Sequence, residues 1–212
     1  GYKAMYNKYI TNIKHKQVFF MKSTLENKQS SKNEFNISEV FPDNRYYIHN
    51  IRKGLITLVN DYIERHSKAL ATRFTLTFPS EYSIDPAFPY VSRFIAKLIQ
   101  YLNRKGYDGR YLYVREQKTG EHPHYHFVVL VNGNKIQHPR FVTNAAKKFW
   151  NSTLGLDKDK KGYVNYDCCQ MIRRNDKNFY EQKERAFIFL RYLAKVLTKG
   201  KKHDGIRNVA MS

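Results

Sequence analysis

Two imidazoles, a phenol and an amine carry the chemistry this sequence can offer. His124-Tyr125-His126 opens the apolar run Phe127-Val128-Val129-Leu130-Val131. Alternate side chains of a strand share a face, so His124 and His126 point the same way. Two neutral imidazoles on one face make half of a divalent-metal site. Downstream, Tyr192-Leu193-Ala194-Lys195 places a tyrosine and a lysine three apart, on one helix face. A phenol is a poor nucleophile near neutrality because its pKa is about 10. A divalent ion that polarises a phosphate, with a cation such as Lys195 to meet the developing negative charge, makes it competent. Together the two segments point to a tyrosine that attacks a phosphodiester.

A hard ion needs an oxygen ligand beside the imidazoles. Glu116 ends the strand predicted over Tyr111–Gln117. If the hairpin centres near Gly120, Glu116 faces His124 across the ladder, on the face it shares with Leu112 and Val114. Gln117 is the nearest alternative, with the wrong parity in a regular strand. His122 is another candidate, directed elsewhere by Pro123. On the last helix, Phe187, Leu190, Leu193, Ala194 and Leu197 form one apolar stripe. Tyr192, Lys195 and Lys199 fall on the opposite side, so core packing does not account for Tyr192. If the open face of a sheet receives that side, the phenol can approach the histidines. Each pair is weak alone. An H-x-H pair can serve packing, and with 17 tyrosines a Y-x-x-K match says little.

The elements that must hold these residues follow from periodicity. Residues 1–48 are polar and basic, with a linker-like stretch at Ser23–Asn36. A helix near 51–66, through Ile51, Leu55, Leu58, Val59, Tyr62 and Ile63, serves packing. Arg73–Phe78 alternates and stops at Pro79, as a strand does. Val91 to Leu102 is an amphipathic helix closed by Gly106. After the hairpin of Tyr111–Gln117 and His124–Val131 comes a turn at Asn132-Gly133-Asn134. A helix over Phe141–Leu154 ends at Gly155. A lysine-rich loop, Lys158–Lys161, leads to a strand at Tyr163–Ile172 and a helix at Lys183–Lys199. This order predicts an α+β fold of split βαβ (ferredoxin- or RRM-like) type. Two helices cover one face of an antiparallel sheet, and the tyrosine helix lies across the other.

Composition sets the class of partner. The 212 residues suffice for one domain with extensions. Thirty-eight Lys and Arg against 18 Asp and Glu give a net charge of +20, far more than solubility requires. That excess suits a polyanion. Aromatics at 15% interleave with the cations, which suits single-stranded nucleic acid. The alternative is a basic protein with an ordinary aromatic core. Cys168 and Cys169, the only cysteines, are too few for a disulfide framework and read as strand residues in a reducing compartment. No apolar stretch approaches a membrane span and no signal peptide is visible. The chain opens Gly1-Tyr2-Lys3 and reads as a processed or excised piece of a longer protein.

The conjunction of motifs resembles the HUH endonucleases, metal-dependent tyrosine nucleases of rolling-circle replication, plasmid transfer and transposition. His124-Tyr125-His126-Phe127-Val128-Val129 matches their histidine-apolar-histidine motif, and Tyr192-Leu193-Ala194-Lys195 their catalytic motif. Phe74-Thr75-Leu76-Thr77-Phe78 is similar to their first, structural motif. Within that superfamily the chain most resembles inovirus-type replication proteins and the prophage YagK/YfjJ-like group. Val114-Arg115-Glu116-Gln117 and Arg191-Tyr192-Leu193-Ala194-Lys195-Val196 carry this likeness, over roughly residues 70–200. It implies an endonuclease domain over 70–212 preceded by an N-terminal extension over 1–65.

The resemblance also implies a mechanism. Magnesium or manganese is held by His124, His126 and a third polar residue, with Glu116 in that place. Tyr192 attacks single-stranded DNA, forming a 5′-phosphotyrosyl link and freeing a 3′-hydroxyl, with Lys195 assisting. Ile188 stands where paired-tyrosine enzymes carry a second nucleophile, so a single-tyrosine enzyme is implied. The expected partner is single-stranded or hairpin DNA at a replication origin. Helicase and polymerase come from the host or phage, in the cytoplasm of a bacterium. Arg73, Arg115, Arg191, Lys199 and Lys201 flank the motifs as candidate DNA contacts, with Lys202 and Arg207 extending a basic tail. Competing readings are a transposase or relaxase of the same superfamily, and a non-catalytic single-strand-binding module.

Overall fold

Alternating apolar residues place four strands in one antiparallel sheet: β1 (Lys68–Leu76), β2 (Arg110–Glu116), β3 (His124–Asn132) and β4 (Val164–Arg173). A three-residue strand, β5 (Val209–Met211), adds to the free edge of β2. The order across the sheet is β4-β1-β3-β2-β5. Among the described residues four helices accompany it: α1 (His49–Arg65), α2 (Tyr90–Arg104), α3 (Arg140–Leu154) and α4 (Phe179–Leu197). The run β1-α2-β2-β3-α3-β4 is the expected split βαβ arrangement. This computed structural model describes residues 49–85, 88–116, 122–157, 163–197 and 209–212. For 49–52, 189–192, 194–197, 209 and 211 only the backbone is described.

Strand alternation divides the core into two layers. On one face, Leu70, Phe74 and Leu76 of β1, Tyr113 of β2 and Phe127, Val129 and Val131 of β3 meet Phe94 and Leu98 of α2 and Val142 and Trp150 of α3. Phe127 stacks on Phe74 at 5.4 Å and on Tyr113 at 5.2 Å, with Phe94 edge-on at 5.3 Å. The Trp150 indole donates to the Thr77 carbonyl at 2.8 Å, so its polar edge is satisfied inside this layer. On the other face, Ala69, Ala71, Leu112, Val114, Val128, Leu130 and Ile172 are buried, as are Leu55, Val59 and Tyr62 of α1 and Ala186, Phe187 and Leu193 of α4. Helix α4 packs on β4, β2 and β3, and α1 packs on α4.

Helix α1 is fastened to the sheet by its last turn. The Tyr62 hydroxyl reaches the Asp108 carbonyl at 2.7 Å and the Tyr107 carbonyl at 3.2 Å. The Asp108 carboxylate pairs with Arg65 at 2.8 Å, His66 at 2.7 Å and Arg110 at 3.3 Å. Asp108 adopts φ 46, a left-handed conformation that aspartate tolerates better than most residues. Gly155 ends α3 at φ +67, where a Cβ would be strained.

The starts of β1 and α4 move furthest from those read off the sequence. β1 begins at Lys68 because Ala69, Leu70 and Ala71 are paired on both sides, by β3 and by β4. Alanine is a poor strand former alone, and double pairing overrides that preference. α4 begins at Phe179, one turn before Lys183, where Asp176 holds the turn by accepting from the Asn178 backbone at 2.8 Å. Among the described residues, no helix is long and apolar enough to cross a membrane.

Candidate active site

The β2–β3 register pairs Glu116 with His124 and Val114 with His126. Glu116, His124 and His126 therefore share one sheet face, the one that α4 crosses. His126 and Glu116 are buried, 7% and 8% exposed, whereas His124 at the mouth of the hairpin is exposed. The His126 Nε2 and Glu116 Oε2 atoms converge to 2.9 Å. Behind the ring, Nδ1 lies 3.0 Å from the Thr75 hydroxyl. Thr75 in turn donates to Asp167 Oδ2 at 3.3 Å, and Arg73 Nε donates to the same oxygen at 3.2 Å. A chain of polar groups thus runs from Glu116 through His126, Thr75 and Asp167 to Arg73.

Burial lowers the His126 pKa, opposed by the hydrogen bond and charge of Glu116 and by the charge of Asp167. The net shift is downward. A neutral imidazole is the form that binds a metal. The pair can be tested against a hard cation by geometry. Octahedral magnesium with ligands at 2.0–2.1 Å spaces adjacent ligands by about 2.8–3.0 Å. The 2.9 Å between Nε2 and Oε2 fits that spacing, and it is equally the length of the hydrogen bond the two atoms make without an ion. The Thr75 contact at Nδ1 is the kind of outer support that metal-binding histidines have. Among the described residues, no group of three His, Cys, Asp or Glu stands close enough to form a complete cation site. Two of the three expected ligands meet, and His124 shares their face without completing a cluster.

The remaining candidates fall in several places. His122 turns away, as Pro123 suggested, and its Nε2 meets the Tyr82 carbonyl at 2.7 Å. Arg115 is buried on the α2/α3 face, opposite Tyr125 in the ladder. Burial raises the Tyr125 phenol pKa, and the Arg115 charge and hydrogen bond offset part of the rise. That face is the one opposite His124 and His126. Arg73 does share the site face, but it is 8% exposed and serves Asp167. Tyr192, Lys195 and Arg191 lie on α4, with side chains outside the described residues. Gln117, Lys199, Lys201, Lys202 and Arg207 also lie outside them.

Thr75 and Asp167 were missed by sequence reasoning. Thr75 was visible as a polar residue within the alternating Phe74-Thr75-Leu76 run, on the same side as Arg73. Asp167 had no readable signal, because its direction depends on a bulge in β4. Cys168 and Cys169 are both free and both on β4, as expected for ordinary strand residues.

The fold and the buried histidine–carboxylate pair define a split βαβ domain with a candidate cation site on the sheet face beneath its last helix. The chain belongs to the YagK/YfjJ C-terminal domain family, whose family model matches residues 15–212. No curated protein and no solved structure matches it.

Proposed function

We propose that this protein is an HUH-type endonuclease that nicks single-stranded DNA and transfers the strand through a 5′-phosphotyrosine. In this reading it initiates rolling-circle replication of a phage or related mobile element inside a bacterial host. The observation that carries the reading is the convergence of His126 Nε2 and Glu116 Oε2 at 2.9 Å, on the face crossed by the helix bearing Tyr192. Glu116 and His126, with His124 at the mouth, would hold the magnesium or manganese ion. When bound, that ion would withdraw charge from the scissile phosphate. Tyr192 supplies the attacking oxygen. The bond from phosphorus to the 3′ oxygen breaks, and a 3′-hydroxyl leaves that can prime synthesis. The phosphotyrosine conserves the bond for religation, so the step needs no ATP. Lys195 neutralises charge that develops at the phosphate. The +20 net charge attracts the DNA.

A random pool of single-stranded and hairpin oligonucleotides tests this without knowledge of the origin sequence. After incubation with manganese and denaturation, DNA that remains attached to protein is recovered and sequenced. The expected result is attached DNA enriched in one sequence, absent with chelator and absent in His126→Ala. Tight binding with no covalent DNA would favour the binding-module reading instead.

A further inference from the structure

We infer that the outer face of α2 and α3 is a second nucleic-acid surface, one that holds duplex DNA by its phosphates. The choice of DNA over RNA rests on the proposed function, whereas the face and the duplex do not. Charge is divided unevenly between the two helical layers. α2 carries Arg93, Lys97 and Arg104, α3 carries Arg140, Lys147 and Lys148, and neither helix has an Asp or Glu. Carboxylates are absent from residues 86–107 and 122–156 altogether. In the other layer, α1 and α4 set Asp61, Glu64, Glu181 and Glu184 against their seven cations. Among the described residues, none of the six α2 and α3 cations pairs with a carboxylate. Five are exposed, and the half-buried Lys97 joins the helices by donating to Ser152 Oγ at 3.0 Å. Arg140 opens α3 where the helix dipole favours an acid, and neither first turn contains one. A local preference broken in this way is expected where function needs the charge.

Helical spacing lines the charges up. At 3.6 residues per turn, Arg93, Lys97 and Arg104 fall within about 40° of one another, opposite the buried Val91, Phe94, Leu98 and Leu102. That row is about 17 Å long, the rise of roughly five base pairs. Ring faces decide between a duplex and a single strand, because unpaired bases are held by stacking on free aromatic rings. Between the helices Tyr101 stacks on Phe141 at 5.9 Å and meets Phe149 edge-on at 5.4 Å, and Phe141 meets Tyr107 at 5.1 Å. These rings cover one another. Among the described residues the exposed large apolar side chains, Tyr166 and Tyr180, belong to β4 and α4. The α2/α3 face thus offers cations without a stacking platform. That suits a paired backbone, whose bases already stack on each other, and phosphate contacts of this kind position a duplex without reading its sequence. His124 and His126 lie on the opposite face of the sheet, so a duplex held here leaves the candidate site open.

The test uses fluorescence anisotropy of the full chain with a blunt DNA duplex of arbitrary sequence and, separately, an unpaired strand of equal length. One variant combines Arg104→Gln, Arg140→Gln and Lys147→Gln. A second, of the same net charge, combines Lys53→Gln, Arg173→Gln and Lys177→Gln, all exposed and away from α2 and α3. For the duplex, the first variant should lower the slope of log K against log salt by about 2–3 and weaken binding at least about 10-fold near physiological salt. The second should keep the wild-type slope, and the unpaired strand should bind both variants as it binds the wild type. Equal losses in the two variants overturn the inference, because net charge alone then governs binding. A loss for the unpaired strand as large as that for the duplex also overturns it. Lysine acetylation read by mass spectrometry needs no variant to fold: the duplex should shield Lys147 and Lys148 in the wild type and leave Lys53 and Lys177 labelled. The reverse pattern overturns the inference, as does a wild type that binds phosphatidylserine vesicles and no duplex. A wild type that forms no covalent adduct with single-stranded DNA yet shows these losses removes the proposed function and leaves the duplex surface standing.

Discussion

Replacing Glu116 with glutamine separates a metal-binding role from a structural one. The side chain keeps its shape, and its amide can accept from an Nε2–H or donate to an Nε2 lone pair 2.9 Å away. Metal-free stability should therefore stay within about 1 kcal/mol of wild type, since no buried partner is orphaned. Metal affinity should not survive. Losing even an outer-shell partner of a metal ligand costs about 10- to 100-fold, so losing a direct carboxylate ligand should cost at least about 100-fold. At a manganese concentration about 100 times the wild-type Kd, binding stabilises the wild type by about 2.7 kcal/mol. At the same concentration a variant with a Kd raised about 100-fold gains only about 0.4 kcal/mol. The gap of about 2.3 kcal/mol corresponds to about 5–9 °C in Tm for a chain of this size. Calorimetric melting with and without manganese reads both quantities. Equal manganese-induced shifts in wild type and Glu116→Gln would refute the ligand assignment. A large loss of stability without metal would instead assign the pair to the fold.

Three further outcomes follow from particular contacts. Tyr62→Phe removes the hydroxyl that reaches the Tyr107 and Asp108 carbonyls, so it should cost about 1–2 kcal/mol in urea unfolding. An unchanged midpoint would show that α1 is not fastened there. Burial pushes the Asp108 carboxyl upward, but the His66 hydrogen bond and the Arg65 and Arg110 charges outweigh it and hold the pKa below the usual value. As pH falls, the unfolded chain binds that proton first, so the stability Asp108 contributes is present above about pH 4 and lost below it. Asp108→Asn keeps a residue that tolerates the left-handed backbone and should flatten the acid limb of the stability profile. An unaltered limb would contradict the assignment. DNA affinity should fall steeply with salt, because a +20 chain releases counterions on binding. A flat plot of log K against log salt, by fluorescence anisotropy, would exclude that electrostatic mode.

The sequence carried most of the sheet because period-two alternation is strong wherever one face is buried. Counting parity around the hairpin sufficed to set Glu116 opposite His124, and the ladder pairs them. The aromatic content was harder to interpret. Composition alone allowed base-stacking surfaces, yet Phe74, Phe94, Tyr113, Phe127 and Trp150 fill the layer under α2 and α3. Among the described residues, only Tyr166 and Tyr180 are large apolar side chains left exposed. Arg115 is next to Glu116 in sequence, and as its neighbour in a strand it points to the opposite face. Asp167 was beyond reach for a different reason. One extra residue in β4 changes which way it faces, and no local pattern announces a bulge. The start of β1 at Lys68 likewise depends on partners distant in sequence.

The central claim, that Tyr192 attacks DNA beside a histidine–glutamate cation site, is met most directly by locating the covalent bond. DNA recovered on the protein after incubation with manganese is digested to a nucleotide remnant, the protein is cleaved with protease, and the modified peptide is sequenced by mass spectrometry. The account predicts a nucleotide phosphate on the oxygen of Tyr192, and no adduct in Tyr192→Phe that still binds DNA as the wild type does. An adduct on another residue, Tyr180 being the first to inspect, or one that persists in Tyr192→Phe, would contradict it.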